Sequence, residues 1–135
     1  MRVFLDTNVL VAAVVARAGL TADLVERLLM RHTLVVSPQV LTELARTLPQ
    51  CGLDAPTCAA AVAFIDLHAD HVPAPTTIAW HCRDADDDAI VTAAIGCDAL
   101  VTGDRDLLEA AEPPIPILNP RACWAWLDEV ERCTR

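Results

Sequence analysis

Apolar residues along the chain follow two rhythms. Short unbroken runs at Val3-Phe4-Leu5, Leu34-Val35-Val36, Ala99 to Thr102 and Ile115 to Leu118 read as buried strands. Longer helical patterns lie between them. Val9 to Ala16 is apolar throughout and breaks at Gly19; Thr21 to Arg31 gathers Leu24, Val25, Leu28 and Leu29 on one face. Ser37 as N-cap and Pro38 at the first helical position open a helix that Pro49 and Gly52 stop, near Leu48. Asp54 to Asp70 is an Ala-rich helical stretch. Val72 to Ile78, with Pro73 and Pro75, reads as an extended edge segment. The acidic run Asp84 to Asp88 precedes an apolar helix over Ala89 to Ile95. A short helix to Ala111 follows Asp106, Pro113-Pro114 interrupts the chain, and Pro120 opens a last helix.

Strands that alternate with helices imply an α/β fold: a parallel sheet of about four to five strands with helices on both faces. Nothing reads as a linker, a repeat or a low-complexity segment, so residues 1–135 form a single domain in this reading. That length buries a core without the help of disulfides.

Charge and composition narrow the chemistry. All ten basic residues are arginine. The absence of lysine excludes a P-loop ATPase, a Schiff-base enzyme and a protein kinase. Aromatic residues make up 4%, too few for a base-stacking platform. A net charge of −9 gives no diffuse attraction to nucleic acid. Either the partners are cationic, or the acid is concentrated where it can hold a divalent cation. Cysteines at 51, 58, 82, 97, 123 and 133 form no C-x-x-C pair, and Met1 to Asp6 lack a signal-peptide pattern. Six reduced, mostly buried thiols in a cytoplasmic protein are expected. No apolar run approaches the ~20 residues of a membrane span.

Open α/β sheets bind ligands beyond the carboxyl ends of their strands. Asp6 follows the first strand and Asp104 the Ala99 strand. Asp86, Asp87 and Asp88 precede the Ala89 helix, and Glu43 lies two turns into the helix after the second strand. Carboxylates crowded at one rim repel, and a hard cation with oxygen ligands relieves them; Mg²⁺ takes one or two carboxylates and keeps several waters.

These segments also carry a resemblance. Asp6-Thr7-Asn8 after a first strand, Ser37 through Glu43, Arg83 to Asp88, and Thr102-Gly103-Asp104-Arg105-Asp106-Leu107-Leu108 resemble the PIN domain over essentially the whole chain. The toxin components of toxin–antitoxin systems, related to VapC, match best. The resemblance implies a ribonuclease dependent on Mg²⁺ or Mn²⁺. Its metal ligands fall on Asp6, Glu43, Asp104 and one of the acidic run, with Asp88 ranked first because it most directly precedes the apolar helix, and Asp87 second. Ala85 stands where the family often has Pro, and the following helix is slightly short, which leaves that third ligand open. Thr7, Asn8, Thr102 and Asp106 would support the ligands, and Glu43 would hold a second metal or orient the attacking water. Arg83 and Arg105 are the best candidates to contact RNA, ahead of Arg17 and Arg46. A cognate antitoxin would close the site with an arginine forked onto the carboxylates, and a homodimer is a further expectation.

Each residue also has a plainer reading. Asp6 could only cap a helix, Glu43 only pair with Arg46, the acidic run only complement a helix dipole, and Asp104 only shape an Asx turn. Their joint occurrence at successive strand ends favours a shared metal site. A haloacid-dehalogenase-type phosphatase would need Asp where Asn8 stands, and usually a lysine. A non-catalytic PIN-like RNA- or protein-binding module is the other alternative. His68 and His71 have a ligand-compatible spacing with His81-Cys82 nearby, but His71 falls past the helix end and the cysteine spacing fits no zinc signature; Trp124 and Trp126 read as cover for the core or a dimer face.

Overall fold

The computed structural model describes residues 1–82 and 84–134. Its centre is β1 (Arg2–Leu5), whose Val3, Phe4 and Leu5 are fully buried. Their backbone is paired on both sides, and helices cover both faces of the parallel sheet. On one side β2 (Thr33–Val36) pairs Val3 with Leu34; on the other β4 (Ala99–Val101) pairs Phe4 with Leu100. Two short outer strands, β3 (Asp70–His71) and β5 (Ile117–Leu118), complete a five-stranded parallel sheet of order β3-β2-β1-β4-β5.

Parallel neighbours need crossovers. β1 is joined to β2 by α1 (Thr7–Ala16) and α2 (Leu20–Arg31). From β2 the chain passes through α3 (Pro38–Thr47), a 3₁₀ turn over Leu48–Cys51 and α4 (Ala55–His68) to β3. The helix before β4 is α5 (Ala85–Ala94), α6 (Arg105–Leu108) links β4 to β5, and α7 (Pro120–Cys133) ends the fold. Crossovers are right-handed, so a sheet that grows outward from β1 in both directions carries helices on both faces.

The helices start where the sequence supplies caps. Asp54 accepts from Thr57 N at 2.8 Å and Asn119 from Ala122 N at 2.7 Å. Polar contacts dock α7 onto α2. Arg27 lies 4.5 Å over the Trp124 ring and pairs with Asp128 and Glu131. Glu131 also meets His32 at 3.0 Å, and its carboxyl is held down to about 2, chiefly by Arg27. Both Trp124 and Trp126 pack against the core. Among the described residues no single helix is long and apolar enough to cross a membrane.

Several expectations need correction. The extended segment after α4 pairs only at Asp70–His71, and Val72 adds one bond to the Val36 carbonyl at 3.0 Å. Pro73 and Pro75 offer no N–H to continue the ladder. α6 stops at Leu108 rather than Ala111, and β5 is two residues rather than four. α5 begins at Ala85, not Ala89, because Asp84 takes the N-cap and accepts from Asp86 N at 2.9 Å. The acidic run is therefore the first turn of the helix. Of the six free thiols, Cys58, Cys97 and Cys123 are buried, Cys82 is half-buried, and Cys51 and Cys133 are exposed.

Candidate active site

The chain builds β2 and β3 on one side of β1, then returns to place β4 on the other. The crevice outside the carboxyl ends of β1 and β4 is thus a topological switch point. An open cleft of about 560 Å³ lies there, lined by Asp6, Glu43, Asp84, Asp86, Asp87 and Asp104, with Arg46 on its wall.

Asp6 is the best-fixed of these carboxylates. It is only 7% exposed. Its Oδ1 accepts from Thr7 N at 2.7 Å. Its Oδ2 accepts from the Thr102 hydroxyl at 2.9 Å and Asn8 Nδ2 at 3.3 Å. Burial pushes the Asp6 carboxyl above its ordinary value; the Thr102 and Thr7 donors oppose that, while Glu43 and Asp104 add repulsion. Asn8 further bridges to the Thr102 hydroxyl at 3.3 Å and accepts from Gly103 N at 2.9 Å.

Glu43 is held from both sides. Its Oε2 accepts from the Thr7 hydroxyl at 2.8 Å and its Oε1 from Gln39 Nε2 at 3.2 Å. Gln39 also donates to the Asp86 carbonyl at 3.3 Å, which ties α3 to the start of α5. Sequence reasoning passed over Gln39; its i, i+4 spacing to Glu43 was the available signal. Asp84 was likewise passed over as a member of the cleft wall. Asp104 caps α6 by accepting from Asp106 N at 2.9 Å and lines the cleft as well, so the Asx reading holds alongside the cleft position.

The acidic run divides. Successive helical residues point about 100° apart, and here Asp87 lines the cleft while Asp88 does not. Asp88 is turned the other way, onto the Cys82 backbone N–H and His81 Nδ1 at 3.2 Å. The Cys82 N–H holds its carboxyl below the ordinary value. The Asp87 carboxyl is pushed up to about 6, first by burial and then by Asp104, Asp84, Asp6 and Asp106. Ranking Asp88 first rested on a helix starting at Ala89; the earlier start rotates Asp87 onto the cleft instead.

Other expected residues lie elsewhere. Asp106 faces a second depression with Trp80, His81 and Cys82. Arg105 is exposed and sits 3.9 Å from Glu109, off the cleft wall, whereas Arg46 lines it. Arg83 lies outside the described residues.

Among the described residues no three carboxylate, imidazole or thiol groups stand close enough to form a ready-made metal cage, zinc included. The donor set is nevertheless all oxygen and mutually repelling. It suits a hard cation that keeps much of its own water.

The sequence matches the PIN domain over residues 2–106. The chain belongs to the PIN-domain family. The match runs from β1 into α6 and leaves β5 and α7 beyond it. A search of the curated proteins finds no match. A chain in the crystal structure of VapBC2 from Rickettsia felis, bound to a DNA fragment from its promoter, shares the fold. It aligns with a TM-score of 0.69 and 17% identity, over 88% of this chain and 98% of that one. The PIN domain endonuclease Utp24 aligns with a TM-score of 0.51 and 21% identity, over 86% of this chain and 82% of its own. At these identities the likeness is one of fold.

Proposed function

We propose that this PIN-domain protein is a divalent-metal-dependent ribonuclease, the toxin of a toxin–antitoxin pair, acting in the cytoplasm. One observation carries the reading: Asp6, Glu43, Asp87 and Asp104, from four separate parts of the chain, line one cleft at the sheet's switch point. Asp6, Asp87 and Asp104 would hold Mg²⁺ or Mn²⁺, with Glu43 beside them. When bound, the ion lowers the pKa of a water and offsets charge on the phosphodiester transition state.

The protein's own groups do the rest. Thr102 and Asn8 aim Asp6, and hydrogen bonds of this supporting kind fix the direction of a ligand's lone pairs. Glu43, fixed by Thr7 and Gln39, is placed to orient the attacking water and accept its proton. Arg46 gives the phosphate backbone a local positive contact on an otherwise acidic chain. An antitoxin arginine would fork onto the same carboxylates when RNA is absent, and pairing of two copies of the chain is compatible with this reading. The family membership, and a fold shared with VapBC2 and with a PIN domain endonuclease, support it.

The test is direct. Purified protein should cut a labelled single-stranded RNA with Mg²⁺ or Mn²⁺ and stop when EDTA is added. Asp6→Asn should remove cleavage and keep the fold by circular dichroism. RNA binding without cleavage would favour the non-catalytic module, and cleavage that survives EDTA would remove the metal from the scheme.

A further inference from the structure

We propose that Asp88 is a positioning residue: it clamps the incoming chain to α5 and thereby sets Asp87 on the cleft. The proposal rests on the reading above. Asp88 is 7% exposed, and its carboxylate takes the Cys82 backbone N–H and lies 3.2 Å from His81 Nδ1. One turn further along α5, Thr92 Oγ1 accepts from Ala79 N at 3.2 Å. Residues at i and i+4 share a helix face. Asp88 and Thr92 thus form a two-point anchor along which residues 79–82 are laid.

That segment needs an anchor. The described residues between β3 and α5 include Pro73 and Pro75 and form no regular element, so few of their backbone groups are held by a ladder. The clamp adds to the Ala79 bond and to the packing of Trp80 and Cys82 against the core, and it fixes the backbone at Cys82 directly to α5. The first turn of α5 is also held by its Asp84 cap and by Gln39, which reaches the Asp86 carbonyl. Asp87 sits among these restraints. A 100° rotation separates it from Asp88, so the face that Asp88 fixes determines where Asp87 points. The role needs a hydrogen-bond acceptor at position 88. It does not need a charge.

Asparagine at 88 keeps an acceptor for Cys82 N–H, whereas alanine keeps none. Three variants, Asp88→Asn, Asp88→Ala and Asp87→Asn, are compared by Mn²⁺ titration, by amide hydrogen exchange over residues 79–88, and by RNA cleavage. Asp88→Ala should weaken Mn²⁺ binding by about 10–100-fold, the range for loss of a ligand's supporting contact. It should also speed exchange at Cys82 and in the first turn of α5. Asp88→Asn should restore both toward wild type, while Asp87→Asn should lose Mn²⁺ binding with exchange at Cys82 unchanged. Thr92→Val should loosen Ala79 with a smaller effect on Mn²⁺. If Asp88→Asn is as damaging as Asp87→Asn, position 88 acts through its charge and the proposal is overturned. It is overturned equally if Asp88→Ala matches wild type in exchange and in Mn²⁺ affinity. A wild-type protein that binds Mn²⁺ but cuts no RNA would end the ribonuclease reading alone, since exchange and Mn²⁺ affinity still decide the clamp.

Discussion

The Thr102 hydroxyl donates to Asp6 Oδ2 at 2.9 Å and so joins the end of β4 to the end of β1. The same hydroxyl oxygen accepts from Asp104 N at 3.0 Å and Asn8 Nδ2 at 3.3 Å. One fully buried side chain therefore sets two carboxylates of the cleft. Thr102→Val keeps the shape and removes all three bonds. Leaving buried groups unpaired costs roughly 1–3 kcal/mol, which urea unfolding would read. The variant also strips a donor from the ionised form of Asp6, whose carboxyl is already raised by burial. Its pKa should rise further, and the acid limb of the cleavage pH profile should move to higher pH. An unmoved limb would mean that Asp6 does not set it.

Gln39 links the Glu43 carboxylate on α3 to the first turn of α5. Its amide spans Glu43 Oε1 and the Asp86 carbonyl. Gln39→Ala should lower cleavage by about 10–100-fold, as expected for loss of a supporting contact, with little change in melting temperature. Gln39→Glu should do worse, because it adds a negative charge to a repelling cluster and removes the donor. Equal activity in all three proteins would show that Glu43 needs no such support.

Arg46 and Arg105 make opposed predictions about RNA. Arg46 lines the cleft, and Arg105 stands off it beside Glu109. Arg46→Ala should weaken RNA binding and flatten the plot of log affinity against log salt by about one phosphate contact, a slope change near 0.7 for a single strand. Arg105→Ala should leave the slope close to wild type. The reverse result would put the backbone on the α6 side.

Much of this arrangement was legible in the sequence because it depends on local signals. The apolar run Val3-Phe4-Leu5 reads as a buried strand, and Ser37-Pro38 as the start of a helix; both are so. The cleft position of Asp6 and Asp104 is legible because a strand end fixes where its next residue goes. What failed depended on helix phase or on long-range pairing. Nothing in Asp86-Asp87-Asp88 says which side faces the cleft until Asp84 is known to be the cap. With the helix starting four residues earlier than expected, Asp87 lines the cleft and Asp88 meets Cys82 and His81. Arg46 was ranked below Arg105 because it is remote in sequence from the acidic run; only the packing of α3 against α1 brings it to the cleft. The two-residue strand β3 has no periodicity of its own and exists because the edge of β2 offers partners.

Stability against pH gives the last prediction. The Asp87 carboxyl is pushed up to about 6 in the folded protein, against about 3.9 when unfolded. Between those values the folded state binds more protons than the unfolded one. Stability therefore falls as pH rises through that window, and the loss is complete above it. Asp6, also raised, acts with the same sign. Glu131, held down to about 2, acts oppositely. Its contribution is present above the ordinary Glu value of about 4.3 and disappears as pH falls from there toward 2. The metal-free protein should thus lose melting temperature between about pH 4 and 6, and Asp87→Asn should flatten that slope while leaving the acid side to Glu131. A divalent ion that binds only the folded state adds about 2.7 kcal/mol at a hundredfold excess over its Kd. Millimolar Mg²⁺ or Mn²⁺ should therefore raise the melting temperature at pH 7.5, and far less at pH 4.5, where Asp87 is protonated. Asp6→Asn, Asp87→Asn and Asp104→Asn should each lose most of that shift, and His68→Ala, remote from the cleft on α4, should keep it. If metal leaves the melting temperature at pH 7.5 unchanged, the carboxylates do not bind it unaided. Titration in the presence of a non-cleavable RNA then decides whether the substrate phosphate completes the site.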